Sequence, residues 1–165
     1  MSVWEDLKSL ERLDLSRNPL TVIPEDAFAS FNAEDNKLNE LSLASTNLSF
    51  LPSQAFMSLR NVLETLDLSE NEFNRVPHES LQFLQSLQKL NFSGSKIKVL
   101  PTTSFPGLKN LNVLDMSKSR ELSIVESNAF DANPGLGRAI FDGCENLASF
   151  APSAFSDKVK MDKIY

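Results

Sequence analysis

The chain has 165 residues, 41% of them hydrophobic, which is ample for one domain. A net charge of −6 argues against nucleic acid as a general partner, because phosphate binding needs a basic surface. One cysteine leaves no internal disulfide, no run of 18 apolar residues offers a membrane span, and the opening MSVWEDLKSL lacks the charged flank and apolar core of a secretory leader.

In chain order, Trp4 comes first, six residues before Leu10, just as Phe105 stands six before Leu111. Trp4 therefore fills the aromatic position of a preceding coil. From Leu10 a unit begins that recurs at Leu38, Leu63, Leu87, Leu111 and Leu136, at intervals of 28, 25, 24, 24 and 25 residues. The third unit, LETLDLSENEFNRVPHESLQFL, shows its logic. Leu66 and Leu68 share one face of a short strand, Asn71 holds a turn, and Phe73, Val76, Leu81 and Leu84 anchor an irregular return. It keeps neither the two-residue period of a strand nor the 3.6 of a helix for its whole length. Such a coil has an apolar side and needs copies of itself to bury it. Met161 and Ile164, six and nine residues past Phe155, stand where a seventh unit would place its first two leucines. The polar stretch NAEDNK between Phe31 and Leu38 reads as a convex bulge.

A period in the twenties headed by L-x-x-L-x-L-x-x-N is the leucine-rich repeat signature. The chain resembles the extracellular, typical class of that repeat, as in Toll-like receptors, Slit and chaoptin-like adhesion proteins. Its longer consensus is matched by LERLDLSRNPLTVIPEDAF and LSLASTNLSFLPSQAFMSL, and the resemblance covers essentially the whole chain. It implies an α/β-type solenoid: a right-handed horseshoe with a parallel concave sheet and a mostly irregular convex side. Residues 1–165 are expected to form one domain of about six complete repeats, with partial repeats at both ends and no caps. Secreted members usually close their ends with cysteine clusters, so the chain reads as a piece of a longer protein, open to self-association through its uncapped ends.

Three columns of residues build the expected interior. The leucine stripe runs from Leu10, Leu13 and Leu15 to Leu136, Ala139 and Phe141, with Ala139 its weak point. The turn column reads Asn18, Thr46, Asn71, Ser95, Ser119, Cys144. Asparagine both donates and accepts, serine and threonine manage less, and cysteine least, so this ladder should weaken toward the C-terminus. Extra residues near Arg120 and Glu145 should loosen the last two turns. The aromatic column reads Phe28, Phe56, Leu81, Phe105, Phe130, Phe155, with Pro24, Pro52, Pro77 and Pro101 before it to keep the return path from pairing as a strand.

No enzyme chemistry is legible, and neither cofactor nor metal is expected. Cys144 and His78 lie three coils apart, too far for a nucleophile and its base. DLSENEF, from Asp67, resembles the start of a calcium loop but has Glu72 where that loop needs glycine. Candidate function lies on the outward columns of the concave strands: Arg12, Glu40, Thr65, Lys89, Val113, Arg138, and Asp14, Ser42, Asp67, Asn91, Asp115, Ile140. They read as a docking face with an acidic stripe, or as ordinary solvated choices at a strand edge. Two glycosylation acceptors, Asn47-Leu48-Ser49 and Asn91-Phe92-Ser93, add weight to a secretory location. The implied function is protein recognition in a ligand-binding or adhesion ectodomain of a receptor or secreted protein, with another protein as partner. The alternative is a cytoplasmic scaffold or regulatory module of the same fold.

Overall fold

The computed structural model describes residues 7, 9–31, 35–155 and 163–164. Each leucine motif forms a three-residue strand centred on its second apolar position: β1 (Arg12–Asp14), β2 (Glu40–Ser42), β3 (Thr65–Asp67), β4 (Lys89–Asn91), β6 (Val113–Asp115) and β8 (Arg138–Ile140). Between them lie β5 (Val99–Leu100) and β7 (Ile124–Val125), and after them β9 (Ser149–Phe150) and β10 (Lys163–Ile164). One face is a seven-stranded parallel sheet in the order β1-β2-β3-β4-β6-β8-β10. Its register aligns Leu13, Leu41, Leu66, Leu90, Leu114 and Ala139 in one row, and Ile164 pairs with Ala139 as a seventh unit requires. Trp4 and Met161, assigned from sequence to flanking coils, lie outside the described residues.

The opposite face carries single turns: 3-10 helices at Ala29–Phe31 and Met57–Leu59, and α1 at His78–Leu81. Here the structure corrects the expectation that proline prevents pairing. A second parallel sheet, β5-β7-β9, runs along the return path of the last three coils. Proline withholds only its own N–H, and it biases the preceding residue toward extended backbone. Leu100, immediately before Pro101, is extended and still accepts the Glu126 N–H at 2.9 Å.

The turn after each concave strand needs a left-handed residue. Arg17 (φ 59°), Ser45 (55°), Glu70 (53°), Gly94 (68°), Lys118 (56°) and Gly143 (70°) occupy that position in the six coils. Only two are glycine, so the remaining four carry a conformational cost that the surrounding hydrogen bonds offset.

The leucine stripe is solidly buried from the second coil onward: Leu38, Leu43, Leu63, Leu66, Leu68, Leu87, Leu111 and Leu114 are all at 0% exposure. In the first coil Leu10, Leu15 and Leu20 are only partly buried. Ala139 is fully buried, and the larger Phe141 two residues on packs tilted on Phe130 and edge-on to Phe150. The aromatic column stacks as expected at Phe28–Phe56 (5.9 Å), Phe105–Phe130 (6.1 Å) and Phe130–Phe155 (4.7 Å), and is interrupted at Leu81.

The turn ladder weakens along the chain. Asn71 makes six hydrogen bonds, including Oδ1 from the Thr46 and Leu48 N–H groups and Nδ2 to the Leu43 carbonyl of the preceding coil. Ser119 reaches back with a single hydroxyl, to the Ser95 hydroxyl at 3.1 Å and the Phe92 carbonyl at 3.4 Å, and the Cys144 thiol donates to the Met116 carbonyl at 3.2 Å. The extra residues near Arg120 and Glu145 turn the backbone in on itself: the Leu122 and Leu147 N–H groups bond the Ser119 and Cys144 carbonyls. In the third and fourth coils, which lack the extra residue, the Glu72 and Lys96 N–H groups bond the Leu48 and Phe73 carbonyls of the neighbouring coil.

Candidate binding face

The parallel register converts the alternation of each strand into straight outward rows. Arg12, Glu40, Thr65, Lys89, Val113 and Arg138 form one, and Asp14, Ser42, Asp67, Asn91, Asp115 and Ile140 the next. All the residues expected on the concave face are therefore brought together. At the first coils the rows close on themselves: the Arg12 guanidinium and the Glu40 carboxylate form an ion pair across β1 and β2, and this partner raises the Arg12 pKa. Lys89 and Arg138 are exposed, while Thr65, Val113 and Ile140 are half-buried.

The acidic row has a structural duty that the column reading did not foresee. Asp14, Asp67, Asn91 and Asp115 each use Oδ1 to accept the backbone N–H two residues on, at Ser16, Ser69, Ser93 and Ser117, at 2.8–2.9 Å. Each thus caps the left-handed turn that follows its strand. Asparagine does this as well as aspartate, so the cap needs an oxygen and no charge. The signal was present as D/N-x-S beginning at the last residue of β1, β3, β4 and β6. At Asp14 the hydrogen bonds from Ser16 hold the carboxyl below its ordinary value. The row two residues further on is more enclosed than an outward surface row: Ser69 is buried, and Ser16, Ser93 and Ser117 are half-buried.

Other candidates separate. His78 begins α1 on the convex side and is exposed, whereas Cys144 sits in the turn ladder on the other side of the coil. Burial raises the Cys144 thiol pKa, opposite to what a nucleophile needs. The oxygens of the calcium-loop-like segment are engaged in the turn, Asp67 as the cap and Asn71 as the ladder. Asn47 is exposed in a left-handed conformation (φ 61°), while Asn91 is half-buried in the middle of the concave sheet. Sequence reasoning missed a second polar set, on the convex side. Ser58 and Ser80 donate to the Phe28 and Leu51 carbonyls, and the fully buried Asn133 donates to the carbonyls of Phe105 and Leu108. Its clue was a polar residue in an otherwise apolar return.

Among the described residues the chain is a parallel solenoid with in-register outward rows. The chain belongs to the leucine-rich repeat family: a model described as "Leucine rich repeat" matches residues 36–97 and 85–138, and a second matches 9–31. It is 28% identical to Tsukushi of Gallus gallus over 94% of this chain and 40% of that protein. It is 30% identical to Toll-like receptor 3 of Bos taurus over 90% of this chain and 17% of that protein. Among solved structures it superposes on Toll-like receptor 13 in its complex with ssRNA13, with a TM-score of 0.80 and 26% identity, over 96% of this chain and 21% of that one. The chain thus spans less than half the length of these relatives, and the extracellular typical class expected from the motifs is the class in which the likeness falls.

Proposed function

We propose that the chain is the protein-recognition part of a receptor or secreted ectodomain, and that its concave rows form the docking face. The observation that carries this reading is the register of the seven-stranded sheet, which sets side chains of six coils into continuous rows with no catalytic group among them. A row of this kind offers a long, rigid and nearly pre-ordered surface, so a partner is bound with little ordering cost on this side.

The charge of the face favours a protein partner over RNA. Asp14, Asp67 and Asp115 stand in one row, each with Oδ1 tied to its turn, and the Asp14 carboxylate is also bonded by the Ser42 side chain. Their charge repels phosphate and suits lysine or arginine side chains. The solved complex of Toll-like receptor 13 holds RNA; in this chain the acidic row argues for a different ligand class.

The test is a screen of the chain, secreted from eukaryotic cells and multimerised, against arrayed secreted and cell-surface proteins. Asp67→Asn with Asp115→Asn, which keeps both turn caps, should weaken the specific hit at least tenfold and reduce its salt sensitivity. Single-stranded RNA should not bind. Unchanged affinity in the double variant, or saturable RNA binding, would overturn the reading.

A further inference from the structure

Among the described residues, Val22 and Phe50 are the two most exposed large hydrophobic side chains, at 65% and 58%. They are not scattered. Val22 lies four residues past Asn18 and Phe50 four past Thr46, so they occupy equivalent positions on successive coils. The hydrogen bond from the Thr21 N–H to the Thr46 carbonyl, 3.1 Å, brings the Val22 segment against the residue that precedes Asn47. The third coil ends the patch with Arg75. Single exposed hydrophobics are ordinary, but adjoining ones mark a surface that something covers.

The same edge holds an acceptor sequon. Asn47 directly follows Thr46, is exposed, and leaves the turn in a left-handed conformation. Leu48 is fully buried and fixes the segment, while Ser49 is exposed next to Phe50. Asn47 and Ser49, the two sequon residues that chemistry requires, are therefore both accessible and both border the patch.

We propose that Asn47 carries an N-linked glycan whose first N-acetylglucosamine lies over Val22 and Phe50, so that the covering of this apolar patch is the chain's own sugar. The inference rests on the extracellular reading above. In the transfer, Nδ2 of Asn47 attacks C1 of the first sugar of a polyprenyl-diphosphate-linked oligosaccharide. The C1–O bond breaks, the diphosphate leaves with the electron pair, and Nδ2 releases one proton. The apolar C–H face of the sugar then packs on the Phe50 ring and its hydroxyls stay in water, as suits an aromatic side chain at a wet surface.

The experiment uses the full chain secreted behind an added leader, so a failure at this site is separable from an error about where the parent protein resides. Glycopeptide mapping should find Asn47 occupied. The folded protein is then trimmed either to a single N-acetylglucosamine or to none, and the two forms are compared by hydrophobic-dye binding and sedimentation. The single-sugar form should bind severalfold less dye and self-associate less, and Phe50→Ser should abolish the difference. Ser49→Thr, which keeps the sequon, should behave as the parent, whereas Ser49→Ala should resemble the sugar-free form. Should Ser49→Ala fail to be secreted, enzymatic trimming of the parent chain still decides the matter. An unoccupied Asn47 would overturn the proposal, as would equal dye binding and association by the single-sugar and sugar-free forms.

Discussion

The Asn71 carboxamide reaches out of its own coil to the backbone of Thr46: its Oδ1 accepts the Thr46 N–H at 3.0 Å and the Leu48 N–H at 2.9 Å, while its Nδ2 donates to the Leu43 carbonyl at 2.7 Å. One fully buried side chain thus ties two coils together through polar groups that water cannot reach.

Removing it should be expensive. Asn71→Ala leaves the buried Thr46 and Leu48 N–H groups without partners, while the Leu43 carbonyl keeps the Thr46 hydroxyl; it is expected to destabilise by about 2 kcal/mol or more, since each orphaned group costs about 1–3 kcal/mol. Cys144→Ala, at the far end of the same ladder, loses one thiol contact in a half-buried place and should cost under about 1 kcal/mol. Urea titrations of the two variants check the ordering.

Gly107 and Gly94 separate conformational cost from collision. Both have positive φ, 80° and 68°. A Cβ on Gly107 would stand 2.0 Å from the Gln82 carbonyl oxygen, which is backbone, whereas on Gly94 it would meet the mobile carboxylate of Glu70 at 2.6 Å. Gly94→Ala should cost about 1–2 kcal/mol, the left-handed penalty alone. Gly107→Ala should cost clearly more, because two coils must move apart. Melting temperatures of the pair measure the difference.

The acidic row should tolerate amides. Asp67→Asn and Asp115→Asn retain the turn cap that Asn91 already makes, and should leave stability within about 0.5 kcal/mol. Asp67→Ala loses the cap and should cost about 0.5–1.5 kcal/mol. Chemical denaturation distinguishes the two substitutions.

Asp14 supplies a pH test. Hydrogen bonds from Ser16 lower its pKa in the folded chain below the ordinary 3.8. A lowered carboxyl stabilises the fold above the unfolded value, and this contribution is lost as pH falls from there through the folded value. Ser16→Ala removes the hydroxyl contact and should raise the Asp14 pKa toward the ordinary value, read by NMR titration of its carboxyl carbon.

Much of this was legible in the sequence because the repeat fixes register. The leucine rows, the ladder from Asn18 to Cys144 and the stacked phenylalanines follow from spacing alone, since each coil repeats the same contacts at the same offset. The concave rows were legible for the same reason. What spacing did not reveal were interactions between coils on the return path. Val99, Ile124 and Ser149 pair as a second sheet because Pro101 blocks only its own N–H. The role of Asp67 and Asp115 was hidden because an aspartate before the last leucine looks the same whether it caps a turn or faces a ligand. The structure shows the cap.

The docking of a protein on the concave rows is tested most directly by carboxylate footprinting of the complex. Carbodiimide labelling of the chain, alone and with a partner recovered from the array, compares Asp14, Asp67 and Asp115 with Glu25, Asp26 and Glu79 on the opposite side. The concave-docking account predicts severalfold protection of the first three on binding and unchanged labelling of the others. Protection of Glu25, Asp26 and Glu79, with Asp67 and Asp115 still reactive, would contradict it.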